Sequence, residues 1–329
     1  MDPLHKVQLC RQSSYDQRVR KMVDMVELDG MVVMDVHAQF LEKFKRMFRT
    51  TNPYVRCGLA EFLGTVILIL FGCGSVAQME LSGFAKAQFL SVNMAFGFAV
   101  TAGAYVCAGV SGAHLNPAVS FSMFLIKKLS WKLMLVYFLA QFLGSFVGAF
   151  LVFSLYFDAL HVYSGGNWTV YGPQATAGIF ASYPSEHLSV GNGFSDQAIA
   201  TAALMVCLLA IIDEKNNAAP RGLQPFVIGL IVLLVGLSMG FNCGYPINPA
   251  RDLAPRIFTA IAGWGLEVFR AGGHWWWVPV VGPMVGGVMG TFLYDLLIGI
   301  HHAPRRRKED REENGERHPP EYELVQTEA

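Results

Sequence analysis

The chain has 329 residues, 53% of them hydrophobic and 15% charged, with 25 Lys and Arg against 25 Asp and Glu. A soluble domain carries roughly a quarter of its residues charged, so this composition excludes an ordinary soluble globular protein and indicates one embedded in a membrane. The zero net charge is an average: residues 1–56 and 301–329 hold most of the charge, and the stretch between them is nearly bare.

Residues 1–34 carry no readable motif, and Met25, Met31 and Met34 are alternative candidate starts. Next comes "FLEKFKRMF" (Phe40 to Phe48), with Phe40, Leu41, Phe44 and Phe48 on one helical stripe and basic residues opposite. That pattern suits a helix lying in a membrane interface. The first long apolar run starts near Gly58 and is long enough to serve as an uncleaved anchor. Six spanning runs are expected, at about 58–78, 89–109, 131–156, 195–212, 222–241 and 275–300. Glu61 lies inside the first, Asp295 near the exit of the last, and Lys132 and Asp196 at ends.

Short-loop charge sets the expected orientation. Lys127 and Lys128, Lys215 and Arg221, and the tail "RRRK" all fall on one side with the basic N-terminal arm, whereas 157–193 contains no Lys or Arg. Both termini are therefore expected in the cytoplasm. Asn167-Trp168-Thr169 in the bare loop is an N-glycosylation acceptor, which agrees with an external position. Arg251, Arg256 and Arg270 fall on the outer side and break the simple count. Gly144 and Gly148, Gly236 and Gly240, and the series Gly282, Gly286 and Gly290 have the spacing of close helix contacts, expected to pack within one subunit, with a dimerisation face as the alternative.

The cysteines at 10, 57, 73, 107, 207 and 243 have neither metal-ligand nor disulfide-framework spacing, and no metal or cofactor is expected. The charged tail from His301 is expected to be disordered. Its "PPEYELV" (Pro319 to Val325) resembles a WW-domain ligand and a tyrosine-based sorting signal around Tyr322, although a merely solvated tail explains it equally well.

Two segments carry the functional argument: "GAHLNPAVSF" (Gly112 to Phe121) and "GYPINPARDL" (Gly244 to Leu253). Asn is a strong N-cap and Pro is suited to the first helical position, so Asn116-Pro117 and Asn248-Pro249 each announce a helix. The helices that follow, about 117–125 and 249–258, are too short to cross a bilayer, and their apolar flanks suit re-entrant segments lining a cavity. The first follows span two and the second span five, which end on opposite sides. The two halves, about 57–156 and 194–300, thus form an inverted repeat within a channel domain at 57–300.

Two Asn-Pro-Ala boxes at this placement resemble the aquaporin family over about Gly58 to Ile300; "NPARD" (248–252) and "GWG…VF" (263–269) resemble its aquaglyceroporin subgroup. The resemblance implies an all-α membrane fold of six spans plus two half-helices, a homotetramer, no enzymatic activity, and passive passage of glycerol, water and other small neutral solutes. It assigns Asn116 and Asn248 as pore donors, with side-chain oxygens capping their helices and amide hydrogens free for solute. It also implies a selectivity constriction of Phe96, Gly236, Tyr245 and Arg251: two aromatic faces for the carbon backbone, a guanidinium for hydroxyls, and a glycine that leaves room. Asp252, Arg256 and Pro283 fit the glycerol-type pattern, and Met284 departs mildly from it. With two half-helix N-termini, each roughly half a positive charge, the field opposes cations and the two donors interrupt a proton wire.

From the residues alone, Glu61 and Gln197, at matching places in the two halves, read as scaffold that accepts hydrogen bonds from the re-entrant loops. His114 is either a pH sensor or a hydrogen-bonded loop anchor. The alternatives are a water-selective channel, argued against by Gly236 and Tyr245, and an ion-coupled transporter, which needs more intramembrane acids than Glu61. No nucleic-acid partner is expected, and a membrane enzyme would need a nucleophile–base pair that the sequence does not offer.

Overall fold

The structure, a computed structural model, describes residues 38–302. The Tyr322 motif, the candidate starts and nearly all of the tail lie outside that range. Helix α1 (residues 38–48) belongs to a unit of its own and is amphipathic. Phe40, Phe44, Met47 and Phe48 are exposed, and Lys45 pairs with Glu42 at 2.9 Å on the surface.

The second unit is built of helices α2 (Pro53–Leu81), α3 (Phe89–Ser111), α4 (Pro117–Leu125), α5 (Trp131–Ser164), α6 (Val190–Ile212), α7 (Gln224–Met239), α8 (Pro249–Thr259), α9 (Glu267–His274) and α10 (Val278–Leu297). Their ends follow local chemistry. The Ser91 hydroxyl accepts the Gln88 N–H (2.7 Å) at the start of α3, and Ser130 and Ser189 cap α5 and α6. Gly112 (φ 86°) and Gly165 (φ 59°) end α3 and α5 in the left-handed region, where a glycine costs least. A bend at Ala271–Gly273 ends the helical turn of α9, and the Trp275–Trp277 turn leads into α10.

Five segments are long and apolar enough to cross a membrane: α2, α3, α5, α6 and the stretch that contains α10. Helix α7 is shorter than the expected 222–241 run, at 16 residues. It rises about 24 Å, less than the roughly 30 Å of hydrocarbon. Pro225 fixes its first turn, and beyond Gly240 the chain bends into the second Asn-Pro-Ala loop. Helix α5 runs on to Ser164, because its last polar turns add length that hydropathy alone does not register.

Contacts define two faces. Cys57 to Val110 (3.4 Å), Tyr105 to Gly222 (2.8 Å) and His302 to Asp213 (3.2 Å) gather the start of α2, the ends of α3, α6 and α10, and the start of α7 on one terminal face. Asn242 bonds Asp196 (2.7 Å) and accepts from the Ser185 N–H (2.9 Å) on the opposite face. Helix α4 thus enters from the terminal face and α8 from the other, as the inverted repeat requires.

The small-residue series pack within the chain. A Cβ on Gly144 would lie 2.5 Å from the Phe62 carbonyl oxygen and one on Gly148 2.7 Å from Ile69, so α5 closes directly on α2. Gly282, Gly286 and Gly290 lie against α6 at Gln197, Ala198 and Ala202. Gly236 differs: the space a side chain would need is filled by the Tyr245 ring, not by a helix backbone.

Candidate channel site

The two half-helices meet tip to tip. Asn116 Oδ1 accepts the Ala118 N–H (2.9 Å), and Asn248 Oδ1 accepts those of Ala250 (3.1 Å) and Arg251 (3.2 Å), which satisfies N-terminal donors that a helix cannot pair internally. The amide hydrogens are not wholly free, however. Asn116 Nδ2 donates to the Ile247 carbonyl (2.9 Å) and Asn248 Nδ2 to the Leu115 carbonyl (2.8 Å), a reciprocal lock across the inverted repeat. An amide has two N–H donors, so this lock takes one from each Asn, and both residues border the same cavity.

The backbone before each box repeats the same geometry. Ala113 (φ 56°) and Leu115 (φ 54°) are left-handed at three and one residues before Asn116; Tyr245 (φ 42°) and Ile247 (φ 36°) hold the same places before Asn248. Non-glycine residues in this region cost about 1–3 kcal/mol each and persist only where the surroundings over-determine them. Here the reciprocal lock and the scaffold below supply that constraint.

Glu61 and Gln197 anchor the two loops. Fully buried Glu61 accepts the N–H groups of His114 (2.9 Å) and Leu115 (2.7 Å), the Ser111 hydroxyl (2.6 Å) and Gln141 Nε2 (2.9 Å). Gln197 Oε1 accepts the Ile247 N–H (2.9 Å), while its Nε2 donates to Asp196 (2.8 Å). His114 Nδ1 lies 3.1 Å from the Ser120 hydroxyl, and its ring meets the Tyr137 edge at 5.0 Å. These contacts are those of a loop anchor, and the same histidine also borders the cavity.

One cavity of about 150 Å³ runs from Arg221 and Gln224 near the terminal face, past His114, Asn116 and Asn248, to Phe96, Tyr245 and Arg251. At that far end the Phe96 and Tyr245 rings are 6.3 Å apart at 75°, and the Arg251 guanidinium carbon lies 4.9 Å from the Phe96 centroid. Three of the four expected constriction side chains are therefore together. Gly236 does not itself border the cavity; it is the seat of Tyr245, with a Cβ there falling 2.5 Å from the ring. The glycine makes room for the tyrosine, and the tyrosine shapes the lumen.

Arg251 Nη1 donates to the Phe180 carbonyl (2.9 Å), a partner not anticipated from sequence. Its signal was the apolar "GIFASYP" run (178–184) in an otherwise polar loop, whose Ile179, Phe180 and Ala181 are wholly buried. Asp252 and Arg256 pair at 2.8 Å with both side chains buried, so Arg256 is an internal charge, whereas Arg270 is exposed. Pro283 is buried within α10. Asn167 is exposed, while Trp168 beside it stacks on Trp264 at 4.7 Å.

Comparison with known proteins agrees with this geometry. The family described as Major intrinsic protein matches residues 48–294. Aquaporin-10 of Homo sapiens is 52% identical over 254 residues, covering 77% of this chain and 84% of the relative. Aquaporin-9 of Homo sapiens is 48% identical over 283 residues, covering 86% and 96%. Among solved structures, the aquaglyceroporin from Plasmodium falciparum superposes with a TM-score of 0.68 at 34% identity, over 74% of this chain and 97% of that one. With two inverted half-helices locked at their asparagines and this match along most of its length, the chain belongs to the major intrinsic protein family.

Proposed function

We propose that the protein is a passive membrane channel for glycerol, water and other small neutral solutes that excludes protons and ions. The carrying observation is one continuous cavity bordered by both Asn-Pro-Ala tips and by Phe96, Tyr245 and Arg251. A polyol presents carbon on one side and hydroxyls on the other. Phe96 and Tyr245 offer apolar faces to the first, and Arg251 offers donors to the second. The remaining N–H of Asn116 and of Asn248 hold a solute oxygen at the centre, and the flanking helix N-termini disfavour a cation there. The names of the relatives, aquaporin-10, aquaporin-9 and an aquaglyceroporin, support this reading.

In this reading the terminal face is cytoplasmic, Asn167 is a glycan acceptor outside, α1 lies in the inner interface of the plasma membrane, and the assembly is a homotetramer. His114 serves first as a loop anchor, with pH sensing as its second role. Stopped-flow light scattering on reconstituted vesicles tests the proposal, with water and glycerol measured on one preparation. Glycerol permeability well above that of empty vesicles, linear in gradient and indifferent to Na+ or pH gradients, is expected. Glycerol permeability equal to empty vesicles would leave the water-only alternative, and dependence on an ion gradient would favour a coupled transporter.

A further inference from the structure

The buried pair Asp252–Arg256 does more than neutralise itself. Asp252 Oδ2 accepts the Ser182 N–H (2.7 Å), and Arg256 Nη2 donates to the carbonyl of that same residue. Trp275 Nε1 holds the Ser182 hydroxyl (3.3 Å), so every polar group of Ser182 is engaged. Arg256 also donates to the Val268 carbonyl (2.8 Å), and its guanidinium carbon lies 4.5 Å from the Tyr183 ring. Two residues before Ser182, the Phe180 carbonyl meets Arg251. Ala181 between them is fully buried.

We propose that Asp252 and Arg256 are positioning residues for solute selection, acting through Ser182 and the Phe180 carbonyl to fix the direction of the Arg251 guanidinium. The arrangement forms a closed mechanical loop. Asp252 follows Arg251 on α8, so the helix that presents the guanidinium also holds the outer loop that orients it. A buried ion pair is often replaceable by apolar side chains without loss of stability, so stability is a weak reason for having one here. Holding one residue by both its N–H and its C=O is what an apolar pair cannot do. Glycerol needs fixed donors on two hydroxyls, whereas water needs only an aperture, so loosening this clamp lowers glycerol passage more than water passage.

The test rests on the channel reading, and wild-type glycerol permeability above that of empty vesicles establishes that reading separately. The full chain is reconstituted as wild type, as Asp252→Ala/Arg256→Met and as Ala181→Gly, and water and glycerol permeability are measured per channel. The double variant removes both charges together and so leaves no unpaired buried ion. Its glycerol-to-water ratio is expected to fall about tenfold, the effect of losing one charge-assisted hydrogen bond at the selecting step. Ala181→Gly leaves the pair intact and loosens the link to Phe180, and a fall of about two- to threefold is expected. Fewer channels with an unchanged ratio in either variant that inserts would show that the pair only stabilises the fold, and would overturn the proposal. If the double variant does not insert, the ratio of Ala181→Gly decides alone.

Discussion

Gly236→Ala is the smallest change that probes the throat. The added Cβ would lie 2.5 Å from Tyr245 Cζ, 2.7 Å from Oη and 2.8 Å from Cε1, where ordinary contact needs 3.4–4 Å. The ring must therefore retreat by about 1 Å. Retreat is confined, since Tyr245 is almost fully buried, its backbone is already left-handed, and Gly240 beside it leaves Phe89 close by. The open direction is the lumen, toward Phe96 and Arg251. Overpacking of this kind costs about 1–3 kcal/mol, which as a barrier to a solute filling the throat is between about fivefold and about 160-fold. Water, being smaller, loses less. The assay is stopped-flow scattering with permeabilities normalised to channel content, and Gly236→His should widen the difference. An alanine variant with a wild-type glycerol-to-water ratio, or equal loss of both solutes, would refute the assignment of Gly236 as the seat of Tyr245.

Other sites give further outcomes. Glu61→Gln keeps one acceptor but places an NH₂ where Leu115 N–H now donates, so inserted channel and thermal midpoint should fall at an unchanged solute ratio; a normal yield would show that the loop does not need the carboxylate. The pH-sensing role of His114 predicts a glycerol flux that differs between acidic and neutral pH in wild type and not in His114→Ala; an unaltered response in the variant removes that role. Burial pushes the Asp213 carboxyl up, but the Lys215 N–H, the Tyr294 hydroxyl and nearby His302 outweigh it and hold it below the usual value. A depressed carboxyl stabilises fully above its unfolded value near about 4 and ceases to do so as the pH falls further. Asp213→Asn should therefore lower the thermal midpoint at neutral pH and converge with wild type as the pH falls through the depressed folded-state value of the carboxyl. A deficit that persists in acid would mean that packing, not charge, is lost.

Much of the fold was legible because membrane burial imposes simple rules. Apolar runs marked the long spans, and Asn-Pro marked α4 from its first residue, since cap and proline act locally. Inversion followed from counting crossings. What the sequence did not disclose depended on groups far apart in the chain. Nothing near Asn116 announces that the Ile247 carbonyl will take one of its hydrogens, and nothing near Arg251 names Phe180. The left-handed residues at 113, 115, 245 and 247 carry no glycine signal, because tertiary bonds rather than local preference hold them there. From sequence Gly236 reads as a residue that leaves room at the constriction; that its neighbour there is the Tyr245 ring is legible only in the packed structure.

The most direct measurement follows glycerol entry and internal pH together in the same vesicles, under an imposed proton gradient and membrane potential. The account requires rapid glycerol uptake with internal pH no different from that of protein-free vesicles, because the paired asparagine tips admit a neutral hydroxyl and break the chain along which a proton would hop. Proton entry that rises in step with glycerol, or glycerol uptake that waits on the proton gradient, would contradict it.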